Sequence, residues 1–161
     1  VHRRFEILAR SPVTVIDDYA HHPTEVKALL AAARDADFPG RVIGVFQPHQ
    51  YSRLRKMLKE FAGALVGFDE VLVTRPYQAR DSQEDREAVN SGMLTGAIAA
   101  LGGEVFDTPS SDDVRARLDE TVREGDAVIF MGAGSITVQA HKYSGRSLGI
   151  EIMPMVAKMG N

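Results

Sequence analysis

Three short segments hold most of the side chains that could carry out chemistry. The first, residues 17–25, has the sequence Asp-Asp-Tyr-Ala-His-His-Pro-Thr-Glu, and the second, residues 47–53, contains His49 and the cation Arg53. The third, residues 131–136, has the sequence Met-Gly-Ala-Gly-Ser-Ile, in which glycines would let backbone amides approach a ligand. Acids, imidazoles, a guanidinium and exposed amides together could bind an anion, move protons or hold a metal ion.

Each of these segments follows an apolar run of strand length, and the first two lead into stretches with helical spacing. Apolar runs and helical stretches alternate along most of the chain, a pattern typical of βα units around a mostly parallel sheet. In an open parallel sheet, ligands bind at the carboxyl ends of the strands, where loops lead into helix N-termini. The three segments are therefore expected to lie at that end of the sheet.

The apolar runs predict about six strands. They fall at residues 5–9, 13–16, 41–46, 70–74, 104–106 and 127–131. Because Ser11-Pro12 leaves room only for a tight turn, the first strand should run antiparallel to the second. The other connections are long enough for helices. The sequence thus predicts an α/β, Rossmann-like three-layer domain, with a mostly parallel sheet, one antiparallel strand and helices on both faces.

Apolar residues at helical spacing predict the main helices. They fall at residues 26–33, 54–65, 93–101 and 114–122. Ser110 or Ser111 should cap the last of these, and Pro23 suits the first position of the first. The charged residues 80–87 are interpreted as a loop, and residues 135–141 as a candidate helix.

Composition limits the class of protein. A chain of 161 residues has the size of one compact domain, which we assign to residues 1–137, with residues 138–161 as an extension packed on it. The net charge of -3 gives no basic field of the kind that nucleic-acid binding requires. The absence of cysteine excludes disulfides, thiolate metal sites and thiol catalysis, and the cytoplasm is the expected compartment. No apolar stretch approaches the roughly 20 residues of a membrane span.

Several interpretations stay open from the residue types alone. The three histidines of the first two segments could form a divalent metal site with Asp18, although adjacent histidines rarely both reach one ion. A Ser-His-Asp hydrolase would need a Gly-x-Ser-x-Gly elbow, which the sequence lacks. A purely structural alternative makes Asp17 and His22 caps and turn formers. Arg53 near a helix N-terminus opposes the helix dipole, so it is either a solvated surface arginine or a partner of a bound anion.

Four motifs and one shorter loop, in this order, resemble a known family. They are His-Arg-Arg-Phe-Glu at 2–6, Asp-Asp-Tyr-Ala-His-His-Pro-Thr-Glu at 17–25, Phe-Gln-Pro-His-x-Tyr-Ser-Arg at 46–53, the loop Tyr-x-Ala-Arg at 77–80, and Gly-Ala-Gly-Ser-Ile at 132–136. Over about residues 2–137 the chain is similar to the C-terminal domain of the Mur ligase family, in particular to its UDP-N-acetylmuramate:L-alanine ligases. Because the chain begins without methionine, inside the first motif, we expect it to be part of a longer protein.

The resemblance implies a three-domain enzyme of peptidoglycan synthesis. Its N-terminal domain would hold the UDP-sugar, its central domain the phosphate loop and the magnesium sites, and its C-terminal domain would close over both. ATP would phosphorylate the lactyl carboxylate of UDP-N-acetylmuramate, and the amine of L-alanine would attack the acyl phosphate to leave an amide, ADP and phosphate. This chain would be the third domain, inactive without its two partner domains, and with no nucleic-acid or membrane partner.

The resemblance also implies roles for individual residues. Arg4 matches a catalytic hinge arginine that faces phosphate, and Asp18 matches the acid that holds the ribose hydroxyls of the nucleotide. Arg53 is similar to the arginine near the alanine carboxylate. The residues expected around the incoming alanine are Tyr19, His21, His49, Arg53, Gly132 and Gly134. None of these residues is expected to be a nucleophile or a metal ligand.

One departure concerns the amino-acid end of the site. Position 50 is glutamine, where the family more usually has a second arginine, so one bidentate anion contact is missing. The related ligase that recycles a murein tripeptide shares the first segment, but its second motif resembles Glu-Pro-Arg-Ser-Asn-Thr, which favours the alanine ligase here. The alternatives kept are the murein-tripeptide ligase domain and a non-catalytic module that binds a nucleotide or an amino acid.

Overall fold

A six-stranded sheet forms the centre of the computed structural model, which describes residues 3–147. Its strands are β1 (Glu6–Ala9), β2 (Thr14–Asp18), β3 (Val42–Phe46), β4 (Glu70–Val73), β5 (Val105–Asp107) and β6 (Ala127–Met131). They lie in the order β1-β2-β6-β3-β4-β5, and β1 pairs with β2 in the antiparallel sense while the other neighbours are parallel. The predicted fold class and the antiparallel first strand are confirmed.

Helices cover both faces of this sheet. They are α1 (Pro23–Asp35), α2 (Tyr51–Lys56), α3 (Leu58–Leu65), α4 (Gln83–Ala88), α5 (Ser91–Ala100), α6 (Ser111–Thr121) and α7 (Ile136–Ser147). Because successive side chains of a strand point to opposite faces of the sheet, β2 and β6 each contribute side chains to the apolar clusters on both faces. Ile16 and Ile129 join the apolar cluster under α1, α3 and α5, whereas Val15 and Val128 join the cluster under α6 and α7.

The helix predicted over residues 54–65 is in fact two helices. Met57, between α2 and α3, has φ -119° and ψ 25°, outside the helical region. The helical geometry is therefore interrupted there, while Leu54 and Phe61 on either side of the break are both buried in one apolar cluster. The apolar spacing continues across the break, which is why a single helix was predicted. The prediction of one continuous helix was wrong.

The loop predicted over residues 80–87 contains a helix, α4. Its start is capped by Ser82, whose hydroxyl accepts a hydrogen bond from the backbone N–H of Asp85 at 3.1 Å. None of its residues is buried. A helix that is polar all round has no apolar period, which is why the prediction of a loop was wrong.

Two further predictions concern the ends of helices. Ser110, not Ser111, caps α6: its hydroxyl accepts from the N–H of Asp113 at 3.1 Å, and the Asp113 carboxylate accepts from the N–H of Ser110 at 3.0 Å. The candidate helix near residues 135–141 is present as α7 and crosses the predicted domain boundary at 137/138. That boundary stays a prediction, and the rest of the predicted extension, residues 148–161, lies outside the described residues.

An ion cluster of two buried carboxylates and the partly exposed Arg41 fixes the amino end of the sheet. Asp126 accepts the backbone N–H of Arg41 at 2.8 Å and its guanidinium at 3.0 Å, and the same guanidinium contacts Glu70 at 3.2 Å. Burial alone would raise the pKa of Asp126, but the backbone N–H of Arg123 and the Arg41 guanidinium hold it below its ordinary value. Folding therefore favours the ionised carboxylate.

The ion cluster predicts acid sensitivity. Because the folded pKa of Asp126 is depressed, its stabilising contribution is complete above the unfolded pKa of about 3.9 and is lost as the pH falls through the folded value. The free energy of unfolding, measured by urea titration between pH 6 and pH 3, should therefore fall less steeply in Asp126→Asn than in the unmodified chain. Asp35→Asn, on the exposed end of α1, is the control for removing one charge. Equal slopes in all three proteins would contradict the prediction.

Candidate functional site

The three chemistry-bearing segments meet at the carboxyl edge of the sheet. Asp18 at the end of β2 and Phe46 at the end of β3 both pair in register with Met131 at the end of β6. The backbone N–H of Gly132 donates to the carbonyl of Asp18 at 3.1 Å, and that of Gln47 donates to the carbonyl of Met131 at 3.0 Å. The three loops therefore leave neighbouring strands at the same level.

Asp18 connects the start of the described chain to the first segment. One carboxylate oxygen accepts the backbone N–H of Phe5 at 2.7 Å, and the other accepts that of Ala20 at 2.8 Å. Asp18 is only 9% exposed. Its carboxylate therefore sets the local backbone, and each oxygen has a second lone pair with which to accept from a ligand.

An open groove of about 360 Å³ lies beside Asp18. It is lined by Arg4, Phe5, Asp18, Thr24, Glu25, Ala28, Leu29 and Ala32. The apolar members come from Phe5 and from α1. The polar members are Arg4, Asp18 at the end of β2, and Thr24 and Glu25 in the first turn of α1. This size and this mixture are typical of a small-molecule site.

The two neighbouring arginines near the N-terminus have different environments. The guanidinium of Arg3 hydrogen-bonds to other residues of the protein. It donates to both carboxylate oxygens of Asp17, at 3.1 and 3.2 Å, and to the carbonyl of Gly132 at 2.7 Å. Arg4 is exposed at the groove. Within residues 3–147, Arg4 forms no ion pair, so its charge is available to a ligand.

Asp17 is a connecting residue that the sequence interpretation as a cap had missed. It is fully buried within β2. In addition to Arg3, it accepts a hydrogen bond from the hydroxyl of Thr137 at 2.6 Å. Asp17 therefore links β2, the start of the chain and α7. The position of a charged residue directly after an apolar run indicated that Asp17 could be buried, but the sequence did not show which residues it would contact.

A row of aromatic and imidazole rings lies at the carboxyl edge of the sheet, on the side away from the groove. Tyr19 and His21 lie 5.1 Å apart between ring centroids, and His21 and His49 lie 6.2 Å apart. His49 in turn stacks on Tyr77 with centroids 5.5 Å apart and planes 12° apart. We call the four residues Tyr19, His21, His49 and Tyr77 the aromatic lip. Glu25 holds this end of α1 by accepting the backbone N–H of His22 at 3.1 Å.

Gln47 joins the second segment to residues 132–135, which we call the glycine turn. Its side-chain oxygen accepts the backbone N–H of Ile136 at 3.1 Å, and its amide nitrogen donates to the hydroxyl of Ser135 at 3.1 Å. A Cβ atom at Gly132 would lie 2.9 Å from the carbonyl oxygen of Gln47, and one at Gly134 would lie 2.6 Å from Cγ of Tyr77. The glycines thus allow the turn to pack closely against the protein itself. The sequence analysis placed Gln47 in the second segment and Tyr77 in a family-like loop, but it gave neither residue a role at this site.

Arg53 lies in the first turn of α2, next to the aromatic lip. Within the described part of the chain it forms no ion pair, and its guanidinium is 3.4 Å from the carbonyl oxygen of His49. Asp81 accepts the backbone N–H of Ser52 at 3.0 Å. Burial would raise the pKa of Asp81, but the N–H groups of Ser52, Tyr51 and Ala79 lower it overall. The ionised Asp81 complements the positive end of α2, so the position of Arg53 does not by itself require a bound anion.

His49 lies in an environment that favours its neutral form. Burial lowers its pKa, the charges of Arg53 and His21 lower it further, and Asp81 acts in the opposite direction. Its Nδ1 atom is buried and has no hydrogen-bond partner among the described residues. At neutral pH we therefore expect an uncharged imidazole that contacts its neighbours mainly through its ring faces.

The metal-site alternative gains no support from the described residues. Among residues 3–147 no group of three or more histidine, aspartate or glutamate side chains is arranged to hold a metal ion. Within the same range, no helix is long and apolar enough to cross a membrane.

Comparison with known proteins identifies the family. The model of the Mur ligase, glutamate ligase domain matches residues 3–134. The UDP-N-acetylmuramate--L-alanine ligase of Sulfurihydrogenibium sp. (strain YO3AOP1) is 44% identical over 135 residues, which are 84% of this chain and 29% of that protein. The ligase of the same name from Cutibacterium acnes is 44% identical over 138 residues, again 84% of this chain and 29% of that protein.

Solved structures agree with this assignment. The UDP-N-acetylmuramate-alanine ligase of Thermotoga maritima superimposes with a TM-score of 0.70 and 30% identity over 91% of this chain and 30% of that one. A domain from a related putative ligase of Haemophilus ducreyi has the same fold, with a TM-score of 0.64 at 24% identity over 86% of this chain and 95% of that one. The chain thus spans less than a third of the length of the two curated relatives and of the Thermotoga protein. From the family match and the shared fold, the chain belongs to the Mur ligase family and contains its glutamate ligase domain.

Proposed function

We propose that this chain is the C-terminal domain of a cytoplasmic ligase that uses ATP to join L-alanine to UDP-N-acetylmuramate, and that it contributes half of a shared active site. The observation that carries the proposal is the position of two chemically different surfaces on one edge of the sheet. The groove of Asp18 and Arg4 lies on one side, and the aromatic lip with Arg53 lies on the other. The relatives that are 44% identical bear the name of that activity.

The groove fits the adenosine side of ATP. Its apolar side chains would contact the base, and the outward lone pairs of the Asp18 carboxylate would accept the ribose hydroxyls. Arg4 would contribute a permanent positive charge toward the phosphates. ATP would supply the phosphoryl group that activates a carboxylate. The role of this chain is to bind and position the nucleotide, because it contains no phosphate-loop sequence of its own.

The lip fits the amino acid. The guanidinium of Arg53, which forms no ion pair with another residue of 3–147, would bind the carboxylate of alanine. His49, held neutral, would contact it without adding a competing charge, and Tyr19 and His21 would complete the wall. Gly132 and Gly134 act by letting the turn pack closely behind this wall. Gln50, with φ 73° at the start of α2, places an amide where the family more usually has an arginine.

The remaining parts of the reaction would come from other domains. The described residues offer no group of three metal ligands, so Mg²⁺ would be held by the central domain, and the UDP-sugar by the N-terminal one. We therefore propose that the chain is inactive alone and acts by closing over those domains. Positioning two substrates in this way removes much of the entropic barrier to their reaction.

The test is reconstitution of the complete ligase. The protein that contains this chain, with its N-terminal and central domains, should release phosphate only when ATP, UDP-N-acetylmuramate and L-alanine are all present. The 161-residue chain alone should release none. Phosphate release with a murein tripeptide and not with alanine would support the tripeptide-ligase alternative, and release with neither would support a non-catalytic module.

Arg53→Ala should weaken alanine binding in that complete ligase. Loss of a charge-assisted hydrogen bond is expected to raise KM for alanine by about tenfold to a hundredfold, with KM for ATP within about twofold. Arg55→Ala is a matched control on the same helix, because Arg55 is exposed and pairs with Glu84 and Asp85. Steady-state phosphate release at varied alanine concentration measures the effect. An unchanged KM for alanine would remove the proposed role of Arg53.

A further inference from the structure

Tyr77 connects parts of the site that come from different strands. It lies in the loop after β4, outside the three segments that the sequence suggested. Its backbone N–H donates to the carbonyl of Pro48 at 2.7 Å, and its carbonyl accepts the N–H of Gln50 at 2.9 Å. These bonds form an isolated parallel bridge between Tyr77 and His49. The loops after β3 and β4 are therefore joined beyond the end of the sheet.

The ring of Tyr77 also contacts two of these segments. It lies nearly parallel to the imidazole of His49, with 5.5 Å between centroids. It also packs over Gly134, where an added Cβ would come within 2.6 Å of its Cγ and 2.7 Å of its Cδ2. The ring thus contacts both His49 and the turn after β6. Tyr77 is nonetheless 41% exposed, so part of its side chain borders open space.

His49 has few other contacts that would fix its orientation. Its Nδ1 has no hydrogen-bond partner among residues 3–147, and its nearest described ring besides Tyr77 is His21 at 6.2 Å. The charged or titratable groups that act on it are Arg53, His21 and Asp81. The stacked phenol is therefore its closest aromatic neighbour and helps to shield it from water.

We infer that Tyr77 is a positioning residue of the amino-acid subsite. Its ring, packed on Gly134, holds the imidazole of His49 in place and thereby fixes the lip beside Arg53. The role of Tyr77 toward alanine rests on the proposed function, because only that proposal assigns alanine to the aromatic lip. Its effect on His49 does not depend on that assignment. Removing the ring should let water reach His49 and let the imidazole rotate, whereas removing only the hydroxyl should change neither.

The first experiment measures His49 directly in the 161-residue chain. The imidazole Cε1–H signals are followed by NMR during a pH titration, with His49 assigned by its loss in His49→Gln. Tyr77→Ala should raise the pKa of His49, because burial is the main cause of its lowered value. Tyr77→Phe should leave the pKa at its original value. Gly134→Ala should displace the ring and shift the His49 signals, whereas Gly96→Ala, where an added Cβ meets nothing within 4 Å, should not.

Three results of this titration would overturn the inference. One is an unchanged His49 pKa in folded Tyr77→Ala. Another applies if Tyr77→Ala does not fold, and is a Gly134→Ala protein whose His49 signals coincide with those of the unmodified chain. A changed titration in Tyr77→Phe would also overturn it, because that variant keeps the ring.

The second experiment separates binding from turnover in the complete ligase. Tyr77→Ala should raise KM for alanine by about tenfold while kcat and KM for ATP change by less than about threefold. Tyr77→Phe, which retains the ring, should have the same KM for alanine as the unmodified ligase. If the ligase uses alanine but its KM is unchanged in Tyr77→Ala, Tyr77 does not position the amino-acid subsite. If the ligase ignores alanine, the proposed function fails, while the titration still decides whether Tyr77 positions His49.

Discussion

Replacing Arg4 by alanine in the complete ligase is expected to lower kcat by about a hundredfold or more, because one preorganised donor to developing charge typically contributes that much. Arg4 and Arg3 are adjacent, yet among residues 3–147 only the guanidinium of Arg3 is bound by internal acceptors. Arg4 is exposed at the groove beside Asp18. Its guanidinium would therefore be available to the phosphates when the domain closes. Phosphate release at saturating ATP and alanine measures the change.

Two further variants make this result specific. Arg10→Ala removes another exposed arginine of the same N-terminal region and should leave kcat unchanged. Arg4→Lys retains the charge but not the planar pair of donors, so it should recover only part of the rate. A kcat for Arg4→Ala within about threefold of the unmodified enzyme would contradict the proposed role. A fall in the free energy of unfolding would instead indicate a structural role, and urea titration of the same proteins tests this.

Much of the fold could be predicted because the sheet imposes a simple pattern. Strand residues such as Ile43 and Val128, buried between two layers of helices, produce short apolar runs. The parallel connections require long crossovers, which appear as helical spacing between the runs. Since ligands bind at the carboxyl ends of such strands, the positions of the three segments followed from the fold class alone.

The parts that could not be predicted depend on tertiary contacts. The break at Met57 leaves the apolar spacing of Leu54 and Phe61 intact, so only the packed structure reveals it. Helix α4 is capped by Ser82 and makes surface contacts such as Arg55 to Asp85 at 3.1 Å, and neither feature produces an apolar period.

The candidate site shows the same division. Side chains at strand ends, such as Asp18 and His49, were found because their position in the sequence is informative. Tyr77 was noted only as part of a family-like loop and was given no role, because its closeness to His49 depends on two loops that are joined only in the folded chain. Likewise, residue types and spacing alone could not show which of two adjacent arginines would turn inward, since that depends on the position of Asp17; the family resemblance alone indicated Arg4 as the ligand-facing one.

Asp17→Ala should have the largest effect on stability, a loss of about 3–5 kcal/mol in the free energy of unfolding. Asp17 is fully buried and accepts from the guanidinium of Arg3 and from the hydroxyl of Thr137 at 2.6 Å. Removing it leaves the largely buried guanidinium of Arg3 without its charged partner and the hydroxyl of Thr137 without this acceptor, which is more destabilising than the loss of the contacts alone. Urea titration of the 161-residue chain at neutral pH measures the change.

A double-mutant cycle shows whether the loss arises from the pair. Arg3→Ala alone should destabilise the chain, and Arg3→Ala with Asp17→Ala should be less destabilising than the sum of the two, with a coupling energy above about 1 kcal/mol. The exposed pair of Arg55 with Asp85 is the control, and Arg55→Ala should leave the urea midpoint unchanged. A loss below about 1 kcal/mol for Asp17→Ala, or additive losses in the cycle, would contradict the prediction. In that case Asp17 would not be the residue that connects the start of the chain to β2 and α7, and the position of Arg4 at the groove would need another cause.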